Sequence, residues 1–341
     1  MIDWLTAVIP LPEVCRSIDC HTMAGYTLFA RPGGEVEKVV DRWLPIDGTF
    51  DHKIRCRVGS SGLWISGNPT KWLTGQNVDG PEDAAALLAT VASRVIAALS
   101  IPSCDGLTGA RLTRVDTTQS LNLGGIERVR EVLRIASLTA RARHQGRSQT
   151  AYQTVYLGQH SRRHSVKLYA KGDELRQHPP HGLPPDLEST LQEHANGLLR
   201  IEVTLRRMEL AGIGMDKLEA WQSPHVAHDL WQRYWSRVEL HGAADLLDDE
   251  VLALPRRLRG TYELWRRGAD VSELVSKATY YRHRRELLRL SGGRADIGVL
   301  RPPVQTAELA CENVGGWLHT MTPWKASGHL SRWIEEMATA A

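Results

Sequence analysis

Cysteine is scarce in this chain of 341 residues. The five present, Cys15, Cys20, Cys56, Cys104 and Cys311, are odd in number and scattered, with no Cys-x-x-Cys pair. That excludes a disulfide framework and a thiolate zinc site, and leaves the cysteines as small buried apolar groups. No apolar run approaches the roughly 20 residues of a membrane-spanning helix. The opening Met1-Ile-Asp-Trp-Leu lacks the basic stretch of a secretory leader and reads as a first strand, so the expected location is the cytoplasm. Net charge is low at +3, too small by itself to mark a nucleic-acid binder.

What charge there is lies unevenly. From Arg141 through Arg143, His144, Arg147, Arg162, Arg163, His164 and Lys167 to Lys171 there is no acidic side chain until Asp173, and a second basic cluster lies between Arg256 and Arg289. Clusters of this kind suit a phosphate backbone, although a solvated face looks similar. The 42% hydrophobic share is ordinary for a globular protein, and the length allows two or three domains.

The pattern along the chain indicates an α+β fold. Trp4 to Ile9, Tyr26 to Ala30, Ile54 to Val58 and Leu63 to Ser66 read as short strands separated by turns. Pro81-Glu-Asp-Ala opens a helix running to Ala98, with its cap at Asp79 or Gly80, and Gly124 to Ala140 gives a second helix. Thr154 to Leu157 and Ser165 to Ala170 read as a hairpin, and Leu199 to Leu205 as another strand. Gln177-His-Pro-Pro-His-Gly-Leu-Pro-Pro185 has to be an exposed connection, in which His178 and His181 are surface residues rather than metal ligands. Such helices would cover one face of an antiparallel sheet. The expected division is a β-rich unit over 1–210, separable into 1–80 and 81–210, and a helical region over 211–341 whose tryptophans Trp221, Trp231, Trp235 and Trp265 are core residues.

Chemistry concentrates in Ser165-Val-Lys-Leu-Tyr-Ala-Lys171. Strand alternation puts Lys167, Tyr169 and Lys171 on one face. Flanking cations would favour the phenolate and attract phosphate, two requirements of a nucleophilic tyrosine. A half-buried strand tyrosine between solvated lysines has the same pattern. Leu112-Thr-Arg-Val-Asp-Thr-Thr118 and Leu198-Leu-Arg-Ile-Glu-Val-Thr-Leu205 each carry an arginine, one apolar residue and a carboxylate. Arg114 thus accompanies Asp116, and Arg200 accompanies Glu202. If these strands neighbour that of Tyr169, the carboxylates converge as hard ligands for Mg²⁺ or Mn²⁺; otherwise they form ion pairs on a solvated sheet face.

At this point a resemblance becomes specific. Met1-Ile-Asp-Trp-Leu, Gly67-Asn-Pro-Thr-Lys-Trp-Leu-Thr-Gly-Gln-Asn-Val-Asp-Gly80, Thr113-Arg-Val-Asp-Thr117, Leu168-Tyr-Ala-Lys-Gly-Asp-Glu-Leu175 and Gly197-Leu-Leu-Arg-Ile-Glu202 follow one another as in the filamentous-phage replication initiators, the gene-two protein family. The chain resembles that family along most of its length, and through it the rolling-circle initiators of small plasmids. The resemblance implies an α+β catalytic domain with a central antiparallel sheet. It implies Tyr169 as nicking nucleophile, Lys171 as its partner, Asp116 and Glu202 as metal positions, and Mg²⁺ or Mn²⁺ as cofactor. The implied reaction nicks one strand of origin DNA through a 5′-phosphotyrosine and later rejoins the displaced strand, with host helicase and polymerase as further partners and no membrane role. One departure is Gln76, where relatives often carry histidine; glutamine cannot carry a proton near neutral pH.

Leu254 to Leu290 reads as a helix-turn-helix-like module. A helix runs through Trp265, a turn occupies 268–270, a short helix spans Ser272 to Lys277, and a last helix begins at Thr279; a surface amphipathic helix with Leu287, Leu288 and Leu290 inward has the same pattern. Tyr280, Tyr281, Arg282, Arg284 and Arg285 are its candidate DNA contacts, beside Arg114, Arg162, Arg163, Lys167 and Arg200 of the sheet. Pro302-Pro303 would end one element, and Trp333 to Ala338 would form a closing helix. The rival function is a non-catalytic origin-binding regulator. A conjugative relaxase is excluded because no His-x-His cluster is present, and a tyrosine integrase because no arginine and histidine partners precede a C-terminal tyrosine.

Overall fold

The computed structural model describes residues 1–12, 26–50, 52–59, 61–101, 106–142, 147–150, 154–180, 182–240, 248–267, 269–291, 295–298, 318–327 and 332. The chain begins with β1 (Ile2–Ile9), the hairpin β2 (Tyr26–Ala30) and β3 (Val36–Asp41), then β4 (Leu44–Asp47), β5 (Lys53–Gly59) and β6 (Gly62–Gly67). Helices α1 (Pro69–Thr74) and α2 (Ala84–Ala98) lead to β7 (Arg111–Asn122), α3 (Ile126–Thr139), β8 (Arg141–Ala142), β9 (Arg147–Thr150), β10 (Thr154–Leu157) and β11 (His164–Ala170). After α4 (Lys171–Gln177) and α5 (Pro185–Asn196) come β12 (Leu198–Arg206), α6 (Arg207–Gly212), a 3₁₀ turn over Leu218–Trp221, α7 (Val226–Trp235) and β13 (Val238–Glu239). The last helices are α8 (Asp248–Ala253), α9 (Arg256–Arg266), α10 (Val271–Leu274) and α11 (Lys277–Leu290).

Nine strands form one antiparallel sheet in the order β4-β5-β6-β1-β7-β12-β11-β10-β9. The fold is the expected α+β class. Alternation separates two faces. Leu5, Ala7 and Ile9 of β1, Val115 and Leu121 of β7, Ile201, Val203 and Leu205 of β12, and Val166 and Leu168 of β11 are buried in one cluster with Leu88 and Val91 of α2, Val129 and Leu133 of α3, and Trp231 and Trp235 of α7. Each fully buried valine, leucine or isoleucine among them contributes about 1.5–3 kcal/mol. The helices therefore cover one face and leave the polar residues of the same strands on the other.

Several boundaries move. The α2 cap is Asp83, whose carboxylate accepts from Ala86 N, rather than Asp79 or Gly80, because Asp83 is the residue in reach of an uncapped first-turn amide. Strands β3, β4, β8, β9 and β13 and helices α1, α4, α5 and α6 add to the expected set. The sheet's core includes Trp221, Trp231, Trp235 and Leu240, which lie beyond residue 210. The short helix of the module spans Val271–Leu274, capped by Asp270. A separate cluster of Leu254, Leu258, Tyr262, Trp265, Val271, Leu287, Ala295 and Ile297 holds α9, α10 and α11 together. Leu287 is buried and Leu290 is 40% exposed.

Residues 318–327 return to the sheet unit. Leu318 joins its core. Trp324 N donates to Ser120 O at 2.6 Å and Ala326 N to an Asp79 carboxylate oxygen at 2.8 Å. Lys325 pairs with Glu82. Cys56 is buried as anticipated. The other four cysteines, His181, Arg143, His144, Pro302-Pro303 and Trp333 to Ala338 lie outside the described residues.

Candidate active site and nucleic-acid interface

Register places the expected residues on one sheet face. Tyr169 of β11 lies opposite Arg200 of β12, and Lys167 lies opposite Glu202. Glu202 pairs with Thr118, and Thr204 with Asp116 of β7. Residues two apart share a face, so Tyr169, Lys167, Arg200, Glu202 and Asp116 form one contiguous polar patch. The strands carrying Tyr169 and both carboxylates are neighbours.

Lys167 Nζ sits 4.2 Å from the Tyr169 ring centroid, a cation–π contact, and pairs with Glu202 at 3.4 Å. Tyr169 itself is buried. Burial raises its phenol well above the ordinary range, outweighing the opposing effect of Arg200. The expected phenolate is thereby corrected: in this conformation Tyr169 is a phenol, because loss of water costs the anion more than nearby cations return.

Lys171 departs from the strand face. The strand ends at Ala170, and Lys171 is the first residue of α4, fully buried. Its Nζ donates to Asn77 Oδ1 at 2.7 Å and to Glu174 Oε2 at 2.5 Å. Burial lowers its pKa to about 8 against the pull of Glu174. Asn77 Nδ2 and Asn68 Nδ2 each donate to Asp3 Oδ1 at 2.8 Å, so a chain of hydrogen bonds links Lys171 to the first strand. Burial raises the Asp3 carboxyl, but Arg200, Lys171 and Asn77 more than offset it and the net shift is downward.

The sequence reading missed Asp3, Asn68 and Asn77 as site residues. All three stand within the motif segments, yet their meeting spans 65 and 74 residues of chain. The turn that delivers Asn77 depends on Gly75, at φ +72°, whose missing Cβ would stand 2.8 Å from the Phe50 ring. Gln76 is buried and internal to that turn. Its Oε1 accepts from Val78 N at 2.6 Å and its Nε2 donates to Asp79 O at 3.0 Å, so it braces the loop rather than carrying protons.

The carboxylates meet cations already present. Both oxygens of buried Asp116 accept from Arg114. Burial raises the Asp116 carboxyl despite this pairing. Glu202 rises to about 7, through burial together with the charges of Asp116 and Asp3, against Lys167. Hard oxygen donors drawn together in this way match Mg²⁺ or Mn²⁺ in type. Each is ion-paired, Asp116 with Arg114 and Glu202 with Lys167, and among the described residues no three acidic, histidine or cysteine side chains form a group that could hold a metal. The expected Asp116 and Glu202 ligand pair is ion-paired here.

Two further expectations change. Arg200 is fully buried and donates to the Asn77 and Val78 carbonyls at 2.5 and 2.7 Å; it clamps the 76–78 turn and presents nothing to DNA. Arg162 and Arg163 are exposed as anticipated, with Arg163 3.3 Å from Glu209. On α11, Ser276 caps the helix by accepting from Thr279 N. Tyr281, Arg282 and Arg285 are exposed, with Arg289 one turn on. Arg284 instead forms a paired bond with Asp296 at 2.6 and 3.0 Å, and Tyr280 packs against the module's core. These two face the module, because a single helix cannot turn consecutive residues the same way. His178 is exposed and carries no metal partner set among the described residues.

A polar sheet face and a helical module with an exposed basic helix are the two features that the family comparison has to account for. Residues 1–224 match the family model for the N-terminal part of the gene-two replication-associated protein, and residues 246–293 match the model for its C-terminal part. The gene-two replication-associated protein of Enterobacteria phage I2-2 is 37% identical over 302 residues, covering 84% of this chain and 86% of that protein. The chain belongs to the gene-two replication-associated protein family. A solved rolling-circle replication initiator from Geobacillus stearothermophilus overlaps 71% of this chain and 86% of its own at 11% identity and a TM-score of 0.30, a likeness that carries no argument. No helix among the described residues is long and apolar enough to cross a membrane.

Proposed function

We propose that this protein initiates rolling-circle replication of phage or plasmid DNA by nicking one strand at the origin through Tyr169 and later rejoining the displaced strand. The observation that carries the reading is the placement of Tyr169 at the end of β11, with Lys167 over its ring, Glu202 on the neighbouring strand and Lys171 beginning the next helix. Membership of a replication-associated family supports it.

In the nicking step the Tyr169 oxygen forms a bond to phosphorus, the P–O3′ bond breaks with its electron pair passing to O3′, and one proton moves from the phenol to that oxygen. Glu202, with a carboxyl near pH 7 on the strand beside Tyr169, suits removal of the phenolic proton. Lys171, near 8 and two residues along the chain from Tyr169, is the candidate for delivering it to O3′ once freed from Asn77 and Glu174. Lys167 screens charge on the phosphate. Rejoining is the reverse, with a new 3′ hydroxyl attacking the phosphotyrosine, so no ATP is consumed. No step is routed through Mg²⁺ or Mn²⁺; Asp116 and Glu202 are the carboxylates that an added ion would take from Arg114 and Lys167. Such a reaction would take place in the cytoplasm of a bacterial host, where a helicase unwinds the duplex and a polymerase extends the 3′ end.

The buried phenol favours a second reading, a regulator that binds the origin without cutting. Incubation with a labelled single-stranded oligonucleotide carrying the cognate origin separates the two. Wild type should form a covalent adduct on a denaturing gel and Tyr169→Phe none, while both bind; chelation in a parallel lane tests the ion. Binding without any adduct under every divalent ion supports the regulator.

A further inference from the structure

The half of the polar face farthest from Tyr169 carries side chains that nicking does not use. Cross-strand register aligns Arg55 of β5, Ser66 of β6, Thr6 of β1, Arg114 of β7 and Arg206 of β12 in one transverse row, each directly opposite the next. Five adjacent strands make this row roughly 19 Å long at the usual spacing. Arg206 Nη1 donates to Ser165 Oγ at 3.2 Å, which brings the row to the strand that bears Tyr169. Indoles flank it. Trp4, with Arg114 5.1 Å from its ring, lies on one side. Trp64 lies on the other, with Arg57 4.9 Å from the Trp64 ring and 5.0 Å from that of Trp43.

Trp4, Thr6, Trp64, Ser66, Arg57 and Arg114 are half-buried, and Arg55 is exposed. Acidic groups sharing the face are committed: Asp116 to Arg114, Glu202 to Lys167, and Asp47 to Lys53. The hydroxyls of Thr6 and Ser66 bond one another at 2.8 Å between the arginines.

We propose that this row is a binding track for single-stranded DNA, in which Arg55, Arg114 and Arg206 take successive phosphates while Trp4 and Trp64 stack bases, feeding the strand toward Tyr169. Guanidinium and indole side by side match a polyanion carrying flat bases. A folded acidic protein would satisfy the arginines but leave the indoles without flat partners, and duplex DNA keeps its bases stacked internally. The inference rests on the proposed nicking function only for the strand's destination; binding is a separate property.

The test uses full-length protein carrying Tyr169→Phe, so cleavage cannot interfere, and a fluorescent oligothymidine lacking any origin sequence. Trp64→Ala should weaken binding on the order of tenfold, with Trp64→Tyr restoring most of it, since stacking accounts for about 1–3 kcal/mol per base. Arg55→Ala should lower the slope of log affinity against log salt by about 0.7, one single-strand phosphate contact. Arg55 is exposed, so its removal leaves the fold intact, and circular dichroism verifies the tryptophan variants. Unchanged affinity and slope in both Trp64→Ala and Arg55→Ala overturns the track. Weakened oligothymidine binding in these variants, together with failure of the wild type to nick origin DNA, overturns the nicking reading and leaves the track standing.

Discussion

Among individual residues, Asn77 joins what the motifs hold separately. Its amide oxygen takes the Lys171 ammonium, its amide nitrogen serves Asp3, and its carbonyl takes Arg200. Asn77→Ala therefore leaves a buried ammonium short of one acceptor, and it should cost about 1–3 kcal/mol in chemical denaturation while lowering nicking more than binding. Glu202 offers a pH test. Its carboxyl holds a proton to about 7 when folded, against 4.5 for an ordinary glutamate. The folded state thus binds more protons than the unfolded between those values, and stability from this group, complete below 4.5, is lost as pH rises toward 7. Thermal unfolding should find Glu202→Gln gaining on wild type between about pH 5 and pH 8; a constant gap would contradict the raised carboxyl. The strand faces of Tyr169, Asp116 and Glu202 could be read from alternation, while the adjacency of their strands is seen only in the register. Asp3 could not, since one aspartate at a bulge in β1 carries no periodic signal and its partners come from a distant turn.

For helices and strands, the limits of periodicity show at two ends. Nothing in Leu-Tyr-Ala-Lys-Gly-Asp marks where β11 stops, and α4 takes Lys171 away from the strand face with Gly172 so close to α5 that a Cβ there would stand 2.8 Å from Asn196. On α11 the amphipathic pattern located the helix but not its rotation, because Asp296, beyond the helix, decides that Arg284 faces inward. Arg282→Ala and Arg285→Ala should each weaken duplex origin binding and reduce the salt slope by about 0.9. Arg284→Ala should leave that slope unchanged and lower the melting temperature by unpairing Asp296. Equal slope changes in all three would mean that the helix presents a different face.

Across the chain as a whole, the sheet was legible as a class and its limits were not. Tryptophans 221, 231 and 235 read correctly as core, yet only their contacts assign that core to the sheet rather than to the later helices. The return of residues 318–327 had no signature at all, being a short irregular stretch whose amides meet Ser120 and Asp79. Trp324→Ala should cost about 1–3 kcal/mol in thermal or urea unfolding of the sheet unit, though it lies far along the chain from that sheet. That return makes the trihelical module an insertion, leaving the sheet unit after residue 240 and rejoining it at 318. A single protease cut in either connection would then leave the two parts associated, one through an intact peptide and the other through the docked 318–327 segment. With both ends fixed on one body, α11 has a smaller volume to search than a pendant domain would, which raises its effective concentration beside the face that bears Tyr169.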